Sequence, residues 1–238
     1  MFLASSEGIS YYYGMKRPVL IALLIGILLQ VPLAAQSKGV SSAFKIARLK
    51  YGGGGDWYND PQGEVNLLTF IRQQTLIDVQ PVYEFVDMTS DKFFTYPFLF
   101  LTGHGNITFT DGEVQRLRTY LENGGFLYAD DDYGMDKAFR REMQKVFPGE
   151  ELRELPFSYG MYHCQFDFPS GPPKTHEHDG KPAQGFGLFH NGRLVVYYTF
   201  ESNPSDAWND AAVHGDSPEK REEALRFGTN IVVWALTH

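Results

Sequence analysis

Short apolar runs alternate along the chain with longer segments in which apolar residues recur at helical spacing. The runs FKIARLKY, VYEFV, YPFLFLT and FLYAD, at residues 44–51, 82–86, 96–102 and 126–130, predict strands. Residues 64–77 carry apolar side chains at roughly helical spacing. Strands that alternate with helices predict βαβ units, and therefore a mainly parallel sheet with helices on both faces.

Turn and cap signals divide the chain further. Thr110 to Glu113 has the spacing of a capping box, which predicts that a helix begins there and ends at Gly124-Gly125. An amphipathic segment follows at residues 136–147. Asn191-Gly192 divides two apolar runs and predicts a late antiparallel hairpin. Ser217-Pro218 begins the last helix.

The first 43 residues differ in pattern from the rest. A basic stretch at Met15-Lys16-Arg17 precedes an apolar run and the small residues Ala34-Ala35, which predicts a signal peptide at residues 15–35. Residues 1–14 are then an extension, 36–43 a linker and 44–238 a single domain. The signal peptide predicts export to the periplasm or cell envelope. The alternative is an uncleaved membrane anchor, the one case in which we expect membrane association.

Charge and cysteine content narrow the class of partner. The formal net charge of −8 argues against nucleic acid, because phosphate binding needs a basic face. The single cysteine, Cys164, excludes an internal disulfide, so the core must hold the fold. The partners that remain are a small-molecule ligand or another envelope protein.

Three segments with unusual residues follow predicted strands. They are YGGGGDWYND at residues 51–60, TGHGN at 102–106 and ADDDYG at 129–134. Ligands of open parallel sheets bind beyond the carboxyl ends of the strands, so we expect the three segments to form one crevice. The predicted ligand-binding residues are Gly54, Gly55, Asp56, Trp57, Gly103, Gly105 and Tyr133.

The glycines and His104 each allow two interpretations. Four successive glycines could cradle an anion, but Gly52 to Gly55 lack a phosphate-loop motif and could equally form a turn tied down by Asp56 and Trp57. His104 lies between two glycines, where it could act as a base or bind metal. The alternative is an imidazole held by a backbone carbonyl. We predict that His104 is catalytic.

Three adjacent carboxylates, Asp130, Asp131 and Asp132, repel one another unless a cation, an arginine or a helix N-terminus compensates. Hard oxygen ligands suit Mg²⁺ or Ca²⁺, so the triplet predicts a divalent-cation site, with Asp131 also catalytic. On a strand, Asp130 and Asp132 face one side and Asp131 the other. Alternatively, one aspartate caps the next helix, one is solvated, and one pairs with Arg140 or Arg141.

Other polar residues give weaker signals. His176 and His178 lie in THEHDG without a third ligand at zincin spacing, which favours a solvated loop. Cys164 as a nucleophile is a minor alternative. The acidic, aromatic segment at residues 205–210 could close over the crevice or simply lead into the last helix. Carbohydrate recognition through Trp57 and Trp208 is a further possibility.

Several motifs in order resemble one family, the domain of unknown function 4159. They are KIARLKYGGGGDWYNDP, FLFLTGHG, LENGGFLYADD, FRREMQKVFPGEEL and GTNIVVWALT, and the resemblance covers nearly all of residues 44–238. That family is similar to the class I glutamine amidotransferase-like superfamily, which includes trehalose-utilisation-like proteins. The resemblance implies a flavodoxin-like three-layer sandwich, and longer relatives with a membrane-bound aerotolerance-type region imply an envelope setting.

The resemblance also indicates which activity is missing. Where amidotransferases carry a Gly-x-Cys-x-Gly elbow, this chain has Asp130 to Gly134 and no thiol. We therefore expect no glutamine hydrolysis. The leading hypothesis is an exported domain that binds a small ligand or a divalent metal in a carboxylate-rich crevice. The alternatives are a non-catalytic envelope interaction module with a decayed site, and a metal-assisted hydrolase.

Overall fold

The structure is a computed structural model that describes residues 43–238. The predicted N-terminal extension, the signal peptide or anchor, and all but the last residue of the linker lie outside the described residues. Within residues 43–238, no helix combines the length and the apolar character needed to cross a membrane.

The described part of the chain contains a seven-stranded sheet in the order β2-β1-β3-β4-β7-β6-β5. The first five strands in that order are parallel, and β6 and β5 add an antiparallel extension. The parallel strands follow the flavodoxin-type order 2-1-3-4-5. The strands are β1 Ala47–Lys50, β2 Glu84–Asp87, β3 Phe98–His104, β4 Phe126–Tyr133, β5 Arg153–Glu154, β6 Gln184–His190 and β7 Arg193–Phe200.

Helices cover both faces of the sheet, as the alternating pattern predicts. Helices α2 and α3 share a core cluster with one face, and α1 and α5 share a second cluster with the other. The helices are α1 Gly63–Gln74, α2 Asp111–Glu122, α3 Asp136–Val146, the short α4 Ala211–His214 and α5 Pro218–Thr237. Single 3₁₀ turns span Asp91–Thr95, Gly160–His163 and Asp206–Trp208. The predicted α/β three-layer sandwich is confirmed.

Side-chain alternation in the central strands explains why both faces are covered. In β3, Leu99 and Leu101 pack into the cluster beneath α2 and α3, whereas Phe98 and Phe100 pack toward α1 and α5. Successive residues of a strand point to opposite faces, so a continuous apolar run requires cover on both. The capping box at Thr110 is present, with both reciprocal hydrogen bonds formed.

Two of the differences between predicted and observed boundaries have a clear physical cause. Strand β4 does not end at Asp130 but continues to Tyr133, because its residues keep pairing with β3 through Gly103↔Asp131. Helix α1 ends at Gln74 rather than at Ile77, since Thr75 adopts an extended backbone and Leu76 is fully exposed. The first difference bears on the site, because it makes the aspartates strand residues.

The chain runs from β1 to β2 on one side and then returns to place β3 on the other side of β1. Such a reversal leaves a gap between the loops that leave the two neighbouring strands, and ligands of this fold class bind there. The loop after β1 holds residues 51–60, and the loop after β3 begins directly after His104, the last residue of that strand. Both predicted segments therefore border the switch point of the sheet.

Candidate functional site

The loops that follow β1 and β3 meet the end of β4 around the imidazole of His104. The His104 backbone N–H donates to Asp56 Oδ1 at 2.6 Å. The ring Nδ1 lies 3.0 Å from Asp56 Oδ2 and 3.2 Å from Asp132 Oδ2. We call the group of Asp56, His104, Asp132, Asn203 and Asp206 the acidic crevice. The three predicted segments thus contribute to one site.

Two glycines allow this close approach of the loops. Gly103 has a φ of +140°, and a Cβ there would collide with the Tyr51 hydroxyl. A Cβ on Gly55 would lie 2.8 Å from the carbonyl oxygen of His104. Gly54 and Gly105 also have positive φ, but a Cβ on either would meet open space. Among the four predicted ligand-binding glycines, Gly103 and Gly55 are therefore the positions without room for a side chain.

The glycine loop is tied to the segment after His104 by backbone hydrogen bonds. Gly55 N donates to Asn106 O at 3.1 Å, and Thr108 N donates to Gly52 O at 2.8 Å. An anion cradle would need the Gly55 N–H, but this group already donates to the Asn106 backbone oxygen. This arrangement favours the interpretation of the loop as a fixed turn.

Asp132 is the carboxylate of the triplet that contacts His104. It is 5% exposed and accepts hydrogen bonds from Asn59 Nδ2 at 2.5 Å and from Asn203 Nδ2 at 2.9 Å. Burial, reinforced by the nearby Asp206 carboxylate, raises the pKa of Asp132 to about 6. For His104, burial opposes the charge, but Asp132 and Asp56 together raise the pKa above its usual value.

Asp130 lies deeper, on the same face of β4. It is fully buried and accepts hydrogen bonds from Thr199 Oγ1 at 2.5 Å and from the Ser205 backbone N–H at 2.9 Å. Burial raises its pKa to about 7 despite these donors. Its contacts anchor the segment after β7 to β4.

Asp131 faces the other side, as strand alternation predicts. Its carboxylate accepts from Met135 N at 3.0 Å, just before α3, and from the Tyr198 hydroxyl at 3.3 Å. Burial raises its pKa to about 6. The structure therefore brings Asp131 to the start of α3 and not to His104, where the predicted catalytic role would require it.

The three aspartates do not converge as a single set of metal ligands, because their contacts divide between the two faces of β4. The alternative assignment is correct in one respect, since Asp131 accepts a hydrogen bond at the start of the next helix. None of the three is solvated, and Arg140 pairs instead with Asp136, at 2.7 Å.

Two predicted aromatic residues border the crevice. The Trp57 ring packs against Phe85, with the centroids 5.3 Å apart. Its neighbour in sequence, Asp56, accepts the hydrogen bond from the His104 backbone N–H. Tyr133 is half exposed at the end of β4 and lies edge-on to His178 at 5.2 Å. Both are placed to contact a ligand at the rim.

A buried ion pair under the loop after β1 was missed by the sequence analysis. Arg48 of β1 donates to both carboxylate oxygens of Glu64, at 2.6 Å each, and to the backbone oxygen of Asn59 at 2.5 Å. Asn59 in turn donates to Asp132. A bidentate arginine in a buried setting fixes geometry, so this pair positions the loop that holds Asp132.

The other missed residues come from the connection after β7 and from the THEHDG segment. Asp206 Oδ2 accepts from Asn203 Nδ2 at 2.7 Å and lies 2.7 Å from His176 Nδ1. His214 Nδ1 lies 3.8 Å from the same oxygen. The segment at residues 205–210 therefore contributes to the crevice, and His176 is not a solvated loop residue.

Within residues 43–238, the group with the geometry to hold a metal ion is His176, Asp206 and His214. Each offers one ligand atom, and these atoms all lie within 4.8 Å of one another. The residues come from three separate segments, so no local spacing could have revealed them. The available signals were the two histidines of THEHDG and the acidic residues of SDAWND.

Cys164 is not part of the crevice. Its sulfur lies 3.3 Å from the backbone oxygen of Asn230 in α5 and 3.5 Å from that of Met161. Burial raises the pKa of the thiol to about 11, which disfavours the thiolate that a nucleophile requires.

Comparison with known proteins identifies a family but supplies no reaction. No curated protein matches the chain. Residues 45–236 match the family described as domain of unknown function (DUF4159). This range includes every strand and the predicted crevice segments, and the chain therefore belongs to the DUF4159 family.

Proposed function

We propose that this domain binds a small polar ligand in the acidic crevice, with a divalent cation as part of the site. The observation that carries the proposal is the meeting of buried Asp132 with half-exposed His104 at the switch point of the sheet. A buried carboxylate that faces an accessible imidazole offers both a hydrogen-bond acceptor and a titratable donor. Ligands with hydroxyl or amino groups suit that combination.

We further propose that the domain is exported to the periplasm or cell envelope and belongs to the class I glutamine amidotransferase-like superfamily. The strand order and the position of the crevice support the superfamily placement. The amidotransferase reaction itself is not part of the proposal, because β4 ends in aspartates and Cys164 packs elsewhere.

A thermal-shift screen of the full chain tests ligand binding. The probes are monosaccharides, amino acids, polyamines and inorganic phosphate, each with EDTA, with Mg²⁺ and with Ca²⁺. A ligand at about 100 times its Kd adds roughly 2.7 kcal/mol of stability, which raises the Tm by several degrees.

The matched control uses two neighbours on β4. Asp132→Asn should remove the shift, whereas Asp131→Asn should keep it because Asp131 faces α3. A panel in which no probe raises the Tm contradicts the proposal, as does a shift that Asp132→Asn leaves intact.

Hydrolysis is the second candidate, and the geometry of His104 favours it. The ring is 52% exposed and is held through Nδ1 by Asp56 and Asp132, which leaves Nε2 for a substrate or a water molecule. A carboxylate on one nitrogen fixes the tautomer of a general base. A general base must be neutral to accept a proton, and the pKa of His104 is raised. The rate should therefore increase with pH, and the midpoint of the increase should lie above the usual pKa of a histidine.

Turnover of p-nitrophenyl esters and phosphates by the full chain tests this second candidate. His104→Gln should lower kcat by about 10²- to 10⁴-fold, the range for a general base. His178→Gln is the control, because His178 contacts Tyr133 at the rim and not Asp132. Equal rates for wild type and His104→Gln would contradict the assignment.

A further inference from the structure

We propose that His176, Asp206 and His214 form a binding site for a divalent d-block ion such as Zn²⁺. The proposal rests on the proposed function, because it names the ion and the ligands of the same crevice. It replaces the hard Mg²⁺ or Ca²⁺ site expected at the aspartate triplet.

The three ligand atoms already lie close together. Asp206 Oδ2 lies 2.7 Å from His176 Nδ1 and 3.8 Å from His214 Nδ1. Ligands about 2.0–2.2 Å from a tetrahedral ion lie roughly 3.3 Å apart, so small side-chain shifts would complete the geometry. Asp206 is buried, which limits the positions that its carboxylate can adopt.

The far nitrogen of each histidine is held by a different carboxylate. His176 Nε2 lies 3.2 Å from both oxygens of Asp216, and His214 Nε2 lies 3.0 Å from Asp60 Oδ2. A carboxylate on one ring nitrogen keeps the proton there and frees the lone pair of the other nitrogen. A bound ion would therefore take the lone pair of Nδ1 on each ring, the nitrogen that faces Asp206, and would displace the Nδ1 proton through which His176 now bonds to Asp206. Two unrelated surface histidines would not be expected to have Nε2 held by a carboxylate and Nδ1 directed at the same aspartate.

Asn203 provides a third, independent observation. Its Nδ2 contacts both Asp206 and Asp132, while its Oδ1 is buried without a hydrogen-bond partner among the described residues. Buried polar atoms are nearly always satisfied, so this oxygen is available to accept a hydrogen bond from a ligand or from a metal-bound water. Asn203 also has a φ of +48°, a strained conformation of the kind that clusters at functional sites.

The chemistry of the ligands selects the class of ion. Imidazole nitrogens suit Zn²⁺, Fe²⁺, Co²⁺ and Ni²⁺, whereas Mg²⁺ and Ca²⁺ take oxygen ligands. Two histidines and one carboxylate leave coordination positions open for water or a ligand. Asn203 donates to both Asp206 and Asp132, and Asp132 contacts His104, so an ion at this site would share a hydrogen-bonded network with His104.

Metal titration of the EDTA-stripped full chain tests the inference. Zn²⁺ is titrated by calorimetry, and Co²⁺ is added as a spectroscopic probe whose visible d–d bands report histidine coordination. We expect one equivalent of either ion per chain. His176→Ala and His214→Ala should each weaken binding at least tenfold, and Asp216→Asn should weaken it by about 10- to 100-fold.

The matched control is His178→Ala, which changes the other histidine of the same loop and should leave affinity within twofold. Far-UV circular dichroism checks that each variant folds. Should His176→Ala fail to fold, Asp60→Asn supplies the same test through His214. Absence of stoichiometric binding overturns the inference, as does equal loss of affinity in His178→Ala and the folded ligand variants.

The titration separates this inference from the proposed ligand binding. Metal binding that depends on His176 and His214, without any Tm shift from the ligand probes, supports the metal site and contradicts the proposed binding of a small ligand. The reverse pattern supports ligand binding and overturns the metal site.

Discussion

The two walls of the acidic crevice are built in different ways. The first wall, residues 51–60 and 102–106, follows two central strands and rests on the buried Arg48–Glu64 pair. The second wall, residues 174–178 and 201–216, consists of connections joined by histidine–carboxylate contacts, several of them partly exposed. The first wall is therefore part of the folded core, whereas the second is held by the groups that we propose for binding.

This difference indicates which residues can be changed without unfolding the domain. The Arg48–Glu64 pair beneath the first wall is buried, so removing one partner leaves an uncompensated charge. Pairs at a protein surface contribute about 0–1 kcal/mol each. Four substitutions follow, from the largest expected effect to the smallest: three test the comparison, and Asp131→Asn tests β4, the strand that carries Asp132.

Glu64→Gln should cost about 3–5 kcal/mol of unfolding free energy, because it leaves the buried guanidinium of Arg48 without a countercharge. Urea denaturation measures the loss. The double variant Arg48→Met/Glu64→Leu is the control and should be less destabilised than the single variant. A single variant within 1 kcal/mol of wild type, on the order of a surface pair, would remove the distinction between the walls.

Asp131→Asn should change how stability depends on pH. The pKa of Asp131 is raised from 3.8 to about 6 by burial, so the folded state keeps this proton while the unfolded state loses it. The resulting loss of unfolding free energy is absent below pH 3.8, grows as pH rises, and is complete above about pH 6. Its full size is about 3 kcal/mol at roughly 1.4 kcal/mol per pKa unit.

The asparagine variant lacks this ionisation. Its unfolding free energy should therefore fall less than that of the wild type between pH 4 and pH 7, by up to about 3 kcal/mol. Urea denaturation at several pH values gives both profiles. Parallel profiles would mean that ionisation of Asp131 does not lower the unfolding free energy.

Gly103→Ala should cost about 1–3 kcal/mol, because the new Cβ meets Tyr51 and the φ of +140° is strained for alanine. Gly105→Ala is the matched control, since its φ is also positive but a Cβ there meets open space. The difference between the two Tm values isolates the collision in the first wall. Equal Tm values would show that the loops do not need this close approach.

His214→Ala, in the second wall, should change the unfolding free energy by no more than about 1 kcal/mol, since its pair with Asp60 is partly exposed. Thermal unfolding in EDTA measures the effect without any contribution from bound metal. A loss comparable to that of Glu64→Gln would mean that the second wall is structural too.

Much of the fold follows from local patterns in the sequence. The continuous apolar run of β3 requires cover on both faces, the capping box at Thr110 fixes the start of α2, and Asn191-Gly192 fixes the hairpin. The end of β4 could not be predicted this way. Three aspartates normally disfavour a buried strand, and pairing with β3 and β7 together with donors from distant segments keeps them there.

The first wall could be predicted for the same reason, since its residues directly follow strands that the pattern identifies. The second wall could not. His176 and Asp206 are 30 residues apart and meet through contacts of the connection after β7, such as the one between Ser205 and Asp130. Spacing within one segment carries no information about such a meeting.

The position of Cys164 makes the protein convenient for single-site labelling. Its thiol is partly buried beside Asn230 and stays protonated at neutral pH, so thiol reagents should modify it slowly. A cysteine introduced at half-exposed Tyr133 would be the fast-reacting one. A fluorophore attached there would report occupancy of the crevice from its rim, with the native cysteine left in place.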